Sequence, residues 1–153
     1  MQGLEAAAFR KALFLLARRE HSTMELSRKL MARGIEEELV GSIVFRLRRK
    51  NLLSDARFTE NFVRQRIASG YGPVRIRREL RERGIDEETV RRNLPHEEDE
   101  WIDRVAEVRR KRFGVSKPRD YRDRARQTRF LMYRGFINEH IRKVLDRMNH
   151  DQQ

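Results

Sequence analysis

MARGIEEELV at residues 31–40, RERGIDEETV at 81–90 and MYRGFINEHI at 132–141 are three versions of one stretch. Four residues before each glycine stands a leucine: Leu30, Leu80 and Leu131. One residue after it comes an apolar side chain, Ile35, Ile85 or Phe136, and six after it another, Val40, Val90 or Ile141. Gly84 follows Gly34 by 50 residues and Gly135 follows Gly84 by 51. That period is too long for the commonest helical repeats, so the unit is a larger module repeated three times. A glycine that closes an apolar helical pattern reads as the left-handed residue of a helix C-terminus, and the segment after it as the start of the next helix.

Outward from these turns, the first module opens at Leu4–Arg19, where Phe9, Leu13 and Leu16 recur at i, i+4 and i+7 and predict a core-facing stripe. Ser22-Thr-Met-Glu25 has the pattern of a capping box, in which hydroxyl and carboxylate satisfy orphan amides at a helix start. Leu26 and Leu30 carry that second helix to Gly34. Glu36-Glu37-Glu38 then opens a third helix, favoured by the helix dipole, which buries Val40, Ile43, Val44 and Leu47.

The second module repeats the plan. Ser54-Asp55 opens a helix with Phe58, Phe62 and Ile67, Gly70-Tyr-Gly-Pro73 breaks the chain, and Pro73 fits the first turn of the next helix. Ile76 and Leu80 lead to Gly84, and Asp86-Glu87-Glu88 opens a short helix stopped at Pro95. The third module holds Trp101 as a core anchor, Val105 and Val108, a polar linker at 114–120, Phe130 and Leu131, and a last helix around Ile141, Val144 and Leu145. Its connection or its middle helix must be longer than in the other two. No alternating apolar run argues for a strand. The expectation is an all-α protein of about nine helices, three tandem three-helix repeats at 4–53, 54–95 and 96–150 in an elongated, curved arrangement.

Composition agrees with thin helical modules, since 38% of the 153 residues are hydrophobic and 39% charged. The net charge of +12, from a basic set of 30 Arg and 6 Lys, favours a polyanionic partner, and arginine supplies the rigid fork suited to phosphate and carboxylate. Without cysteine there is no disulfide, zinc thiolate or thiol nucleophile. Neither a signal-peptide core nor a membrane-spanning run is present, so a cytoplasmic location is expected.

Leu15-Leu-Ala-Arg-Arg-Glu-His-Ser22 with Glu25-Leu26 and Lys29-Leu30 resembles the opening of the RecX family of bacterial regulatory proteins. The likeness continues through Leu53-Ser-Asp55 with Arg57-Phe58, Gly70-Tyr-Gly-Pro73, Arg75-Ile76, Glu79-Leu80 and Gly84-Ile85, and then Arg129-Phe-Leu131 with Tyr133-Arg-Gly-Phe136. It covers nearly the whole chain and is weakest from Asn93 to Asp120. The resemblance implies three tandem three-helix repeats and a non-enzymatic modulator of the RecA recombinase. It further implies binding in the helical groove of the RecA filament on DNA, restraint of ATPase, strand exchange and repressor cleavage, and roles in homologous recombination, DNA repair and the SOS response. Some members of the family also bind DNA directly. A monomer without cofactor is expected.

Arginines lacking an acidic residue three or four positions away are the candidate contact residues, because such a neighbour forms a solvated helix pair. Arg77 and Arg81 meet this test on one side of the helix at 74–83, and their counterparts in the other modules, Ser27 with Met31 and Thr128 with Met132, are uncharged. Arg66, Arg109, Arg112, Arg122 and Arg129 also meet it and could complete a discontinuous basic band, unless tertiary ion pairs absorb several of them. Tyr71 between two glycines is either an exposed aromatic for stacking or packed between helices. Arg33, Arg83 and Arg134, just before the repeat glycines, read as helix C-terminal charges.

Nothing argues for catalysis: His21, His96, His140 and His150 are scattered, no glycine-rich phosphate loop is present, and Ser22 has its capping role. Helix, glycine turn and helix recurring three times leave a helix-turn-helix-like or general DNA-binding protein as the alternative. Against it, the helices after Gly34 and Gly84 begin with acidic residues that phosphates would repel.

Overall fold

The computed structural model describes residues 2–151, and within them the chain is helical throughout: α1 (Gln2–Arg18), α2 (Thr23–Ala32), α3 (Glu37–Arg49), α4 (Asp55–Ala68), α5 (Pro73–Glu82), α6 (Glu87–Asn93), α7 (Glu98–Phe113), α8 (Tyr121–Tyr133) and α9 (Asn138–Asp151). No strand occurs among the described residues. None of these helices is long and apolar enough to cross a membrane.

The threefold glycine context has one physical cause. Gly34, Gly84 and Gly135 have φ of +86°, +79° and +98°. Their amides donate to the carbonyls of Met31, Arg81 and Met132, and the amides of Ile35, Ile85 and Phe136 reach back to Leu30, Leu80 and Leu131 at 3.1–3.2 Å. This pair of bonds is a Schellman motif, which brings the residue after the glycine against the leucine four before it. Leu30, Leu80 and Leu131 are fully buried. The leucine, glycine and following apolar residue therefore recur together because one turn needs all three.

Other local signals hold as well. Ser22 accepts from the Glu25 amide at 3.1 Å while the Glu25 carboxylate accepts from the Ser22 amide, so the capping box is complete. The Ser54 hydroxyl accepts from the Arg57 amide, the Asp86 carboxylate accepts from the Thr89 amide, and α5 begins at Pro73. In the third repeat both expected elongations occur, for α8 has 13 residues against 10 in α2 and α5, and a linker precedes it.

The chain packs as two units. One runs through Phe62 and includes Leu80–Arg92; the other takes Val63–Glu79 and the residues from Asn93 onward. In the first, α1, α2 and α3 pack on one another around Ala8, Ala12, Leu15, Leu26, Leu30, Val40, Ile43 and Leu47. The core stripe of α1 is thus Ala8–Ala12–Leu15, one residue away from the expected Phe9–Leu13–Leu16, which are only partly buried. The alanines, unweighted in an apolar-periodicity reading, let α1 approach its neighbours closely. At the start of α4 the Asp55 carboxylate accepts from the Thr23 amide at 2.7 Å, and Arg57 pairs with Glu20.

In the second unit, α7, α8 and α9 pack on one another around Trp101, Ile102, Val105, Leu131, Ile141 and Leu145. Trp101 is buried, donates its indole N–H to the Pro95 carbonyl at 2.9 Å and meets Phe136 edge-on. The Gly70–Pro73 loop lies against the turn at Gly135. The Gly72 amide donates to the Arg134 carbonyl at 2.8 Å and the Val74 amide to the Gly135 carbonyl at 3.0 Å. A Cβ on Gly135 would collide with Arg75, whose backbone nitrogen would lie 2.7 Å away.

Candidate functional site

The second unit gathers aromatic rings and guanidinium groups around that docked loop. Tyr71 is half-buried, and the guanidinium carbons of Arg66, Arg75 and Arg134 lie 4.1, 4.3 and 5.0 Å from its ring centroid. The Glu79 carboxylate accepts from Arg66 Nη2 at 2.6 Å on both oxygens and from Arg75 Nε at 3.1 Å. Burial alone would raise the Glu79 pKa, but the hydrogen bonds and charges of Arg66 and then Arg75 outweigh it and hold the carboxyl below its usual value. Arg134, the C-cap residue of α8, also donates to the Ser69 carbonyl at 3.1 Å, so its charge serves the C-terminal end of α4 as well.

A second pile stands beside the first. Phe113 and Phe130 meet edge to face at 5.4 Å. Arg112 lies 5.4 Å and Arg134 5.2 Å from the Phe130 centroid, and Arg126 lies 5.1 Å from that of Phe113. Between α4, α7 and α8 is a cleft of about 250 Å³ with an apolar floor of Ile67, Val108 and Phe130, and with Arg104, Lys111, Arg112 and Arg134 around it. Glu107 at its edge is engaged by Arg110 at 3.1 Å and Lys111 at 3.6 Å. Arg104 and Arg112 are exposed and make no ion pair among the described residues.

Along α8, Arg122, Arg126, Arg129 and Tyr133 fall on one helical face. Arg126 is held by Asp123 at 2.9 Å. Arg122 and Arg129 are exposed, with no hydrogen bond or ion pair among the described residues, and Tyr133 is 75% exposed. This cleft and stripe can receive an anionic or carboxylate-rich surface, with rings beside the guanidinium groups to cover a partner's apolar parts.

The structure sorts the arginines chosen from sequence. Arg66 was expected to lack an acidic partner and is instead bound to Glu79, which lies 13 residues away and so outside any local test. Arg109 was expected as a contact residue and is 2% exposed. Its guanidinium donates to Gln127 Oε1 at 2.9 Å and to the carbonyls of Gly114 and Ser116 at 3.0 and 2.6 Å, which ties down the linker before α8. Arg81 faces solvent but pairs with Glu87 at 3.3 Å, six residues on. Arg77 is exposed on α5, and Arg112, Arg122 and Arg129 are exposed in the second unit. Tyr71 packs among arginines and is not a free stacking platform. Sequence reasoning missed Arg104 and Lys111; their i, i+4, i+7 spacing with Val108 on α7 is the signal that puts them at one cleft.

Comparison with known proteins gives this arrangement a lineage. Sequence models of the first, second and third three-helix domains of RecX match residues 8–47, 54–94 and 98–145. Regulatory protein RecX of Pseudomonas entomophila (strain L48) is 48% identical over 139 residues, covering 91% of this chain and 90% of that protein. Regulatory protein RecX of Pseudomonas putida (strain GB-1) is 46% identical over 136 residues, covering 89% and 87%. The fold is shared with the crystal structure of RecX from Lactobacillus salivarius at a TM-score of 0.81 and 19% identity, covering 97% of this chain and 99% of that one. A second crystal structure of regulatory protein RecX aligns at 0.78 with 22% identity, covering 94% and 72%. With all three of its helical repeats accounted for, the chain belongs to the RecX family of regulatory proteins.

Proposed function

We propose that this protein is a non-enzymatic regulator of the RecA recombinase that binds in the groove of the RecA filament on DNA and restrains its ATPase, strand-exchange and coprotease activities. The observation that carries this reading is the unbroken family match through all three repeats, at 46–48% identity to proteins named for regulation. The surface described above supports it. Arg112, Arg122 and Arg129 have charge to offer a partner, whereas Arg66 and Arg109 are consumed by the fold. Arg77 and Arg81 on α5 are further contact residues in this reading, and the Arg81–Glu87 pair, with both side chains about two-thirds exposed, costs little to exchange for a partner's carboxylate.

In this proposal the protein acts as a cytoplasmic monomer without cofactor, the repeats at 4–53, 54–95 and 96–150 contact more than one RecA subunit, and bridging subunits resists the movements of ATP turnover. Direct binding to single- or double-stranded DNA is secondary. Both α3 and α6 open with glutamates in their first turns, so neither presents a helix N-terminus that phosphates would favour.

The test is RecA ATPase on single-stranded DNA, titrated with substoichiometric protein. Inhibition is expected, and Arg112→Glu with Arg129→Glu should weaken it while the helical circular dichroism is unchanged. Equal binding to free RecA and to assembled filaments, or full inhibition by the double variant, would count against the filament and surface assignments respectively.

A further inference from the structure

The first unit holds a basic cleft that the RecA reading does not use. It has a volume of about 700 Å³ and lies where the end of α1 meets the side of α2, with Leu15 as its floor and Arg18, Arg19, His21, Lys29 and Arg33 among the residues around it. Most of these belong to the stretch from Leu15 to Lys29 that carried the family likeness.

The interior of this corner is built with care. His21 is 1% exposed. Its Nδ1 lies 3.0 Å from the Arg19 carbonyl, which can only accept, so Nδ1 carries the proton and Nε2 is left as an acceptor. Lys29 Nζ donates to that Nε2 at 2.8 Å. The ring thereby fixes an ammonium group at the wall of the cleft. Arg19 is committed to Glu25 at 3.0 Å. Arg18 and Arg33 are exposed and form no ion pair among the described residues; the Arg18 guanidinium carbon lies 5.9 Å from the Phe14 ring centroid.

The charges do not balance. Four cations meet at the cleft, and the carboxylate among them, Glu25, is already shared by Arg19 and Arg83. Burial first, and then the Arg19 charge, push the Lys29 ammonium below its ordinary pKa; Glu25 opposes this, and Arg33 and Arg18 add to the depression. Like charges held this close repel, and a multivalent anion among them would reverse the sign of the interaction. Two guanidinium forks and one ammonium point charge suit phosphate oxygens, which accept both kinds of donor.

We propose that this corner of the first repeat is a binding site for a phosphate-bearing anion, gripped by Arg18, Arg33 and Lys29, with His21 as the positioning residue for Lys29. The phosphate can belong to the backbone of a nucleic-acid strand or to a free polyphosphate, and the chemistry of the grip is the same. The inference goes beyond the filament reading and does not depend on it.

The experiment uses the full chain, isotopically labelled, with the amides of residues 18–22 and 29–34 and the His21 ring followed by NMR at constant ionic strength. One arm adds inorganic pyrophosphate, another a short single-stranded oligonucleotide, and a third a hexaglutamate peptide. Saturable shifts confined to these residues are expected with at least one of the first two ligands, and the tighter one identifies the source of the phosphate. Arg33→Gln should weaken binding roughly tenfold and Arg18→Gln with Arg33→Gln about a hundredfold, as expected for loss of charged hydrogen bonds. Both residues are exposed, so melting should be unchanged. Shifts that never saturate, full affinity in the double variant, or saturation by hexaglutamate alone would overturn the proposal.

Discussion

Gly34 and Gly135 occupy the same position in the same turn, yet replacing each by alanine should have very different consequences. Both have a left-handed φ, +86° and +98°, and an alanine there loses about 1–2 kcal/mol to backbone strain. Reduced freedom of the unfolded chain returns roughly 0.4–1 kcal/mol. At Gly34 nothing lies within 4 Å of a new Cβ, so the net cost should be about 1 kcal/mol. At Gly135 the Cβ would collide with the Arg75 side chain and backbone, adding about 1–3 kcal/mol of overpacking. Relief by backing the 70–73 loop away would stretch the Gly72-to-Arg134 and Val74-to-Gly135 hydrogen bonds, together worth about 2 kcal/mol. Gly135→Ala should therefore cost about 2–4 kcal/mol in total, whether the clash persists or is relieved at the expense of the two hydrogen bonds. Urea unfolding followed by helical circular dichroism measures both variants. Losses for the two within about half a kcal/mol would refute the argument, since backbone strain common to both turns would then be the whole effect.

Two further outcomes follow from the carboxylates of the second unit. Asp123 accepts from the Arg119 backbone amide and from the Arg126 side chain, which together hold its pKa at about 2; a depressed carboxylate stabilises the fold above its unfolded pKa and loses that contribution as pH falls from about 4 toward 2. Asp123→Asn should flatten the fall in urea midpoint across that window, and an unchanged fall would exclude the assignment. Glu79→Gln keeps the volume but weakens bonds to two guanidinium groups, and should cost about 1.5–3 kcal/mol in the same assay and free the Tyr71 ring, read as a change in tyrosine near-ultraviolet dichroism; a neutral effect would mean that the carboxylate charge is not what holds Arg66 and Arg75.

The parts of the fold legible in the sequence are those whose physics is local. The glycine turns, the Ser22–Glu25 capping box, the acidic first turns of α3 and α6 and the start of α5 at Pro73 are each fixed by residues a few positions apart. Register on α1 was less legible, because Ala8 and Ala12 form its core face while the larger Phe9 and Leu13 flank it. Exposure of a charge was legible where absence of a local partner was enough, as for Arg122 and Arg129. It was not where a partner arrives from another element: Glu79 for Arg66, or Gln127 and two linker carbonyls for Arg109. A test over three or four residues is blind to both.

The three turns also show why a repeat need not repeat its function. Each glycine satisfies one local requirement, but Gly34 opens to solvent, Gly84 has Met24 against it, with Cε 2.8 Å from where a Cβ would stand, and Gly135 receives the backbone of a loop. The residues fixed by the turn, a leucine, a glycine and an apolar side chain, are uncharged and are not available for binding. Function must be carried by positions the turn leaves free, and there the repeats diverge: Ser27 and Met31 in the first stand where Arg77 and Arg81 stand in the second and Thr128 and Met132 in the third. Charge is likewise moved to different faces, to the α1–α2 corner in the first unit and to α7 and α8 in the second. Exchanging Arg81 for the methionine of the first repeat should thus leave every turn hydrogen bond intact and the melting temperature nearly unchanged, because its pair with Glu87 is exposed, while reducing the proposed RecA inhibition. A marked fall in stability instead would mean that this arginine serves the fold, as Arg66 and Arg109 do.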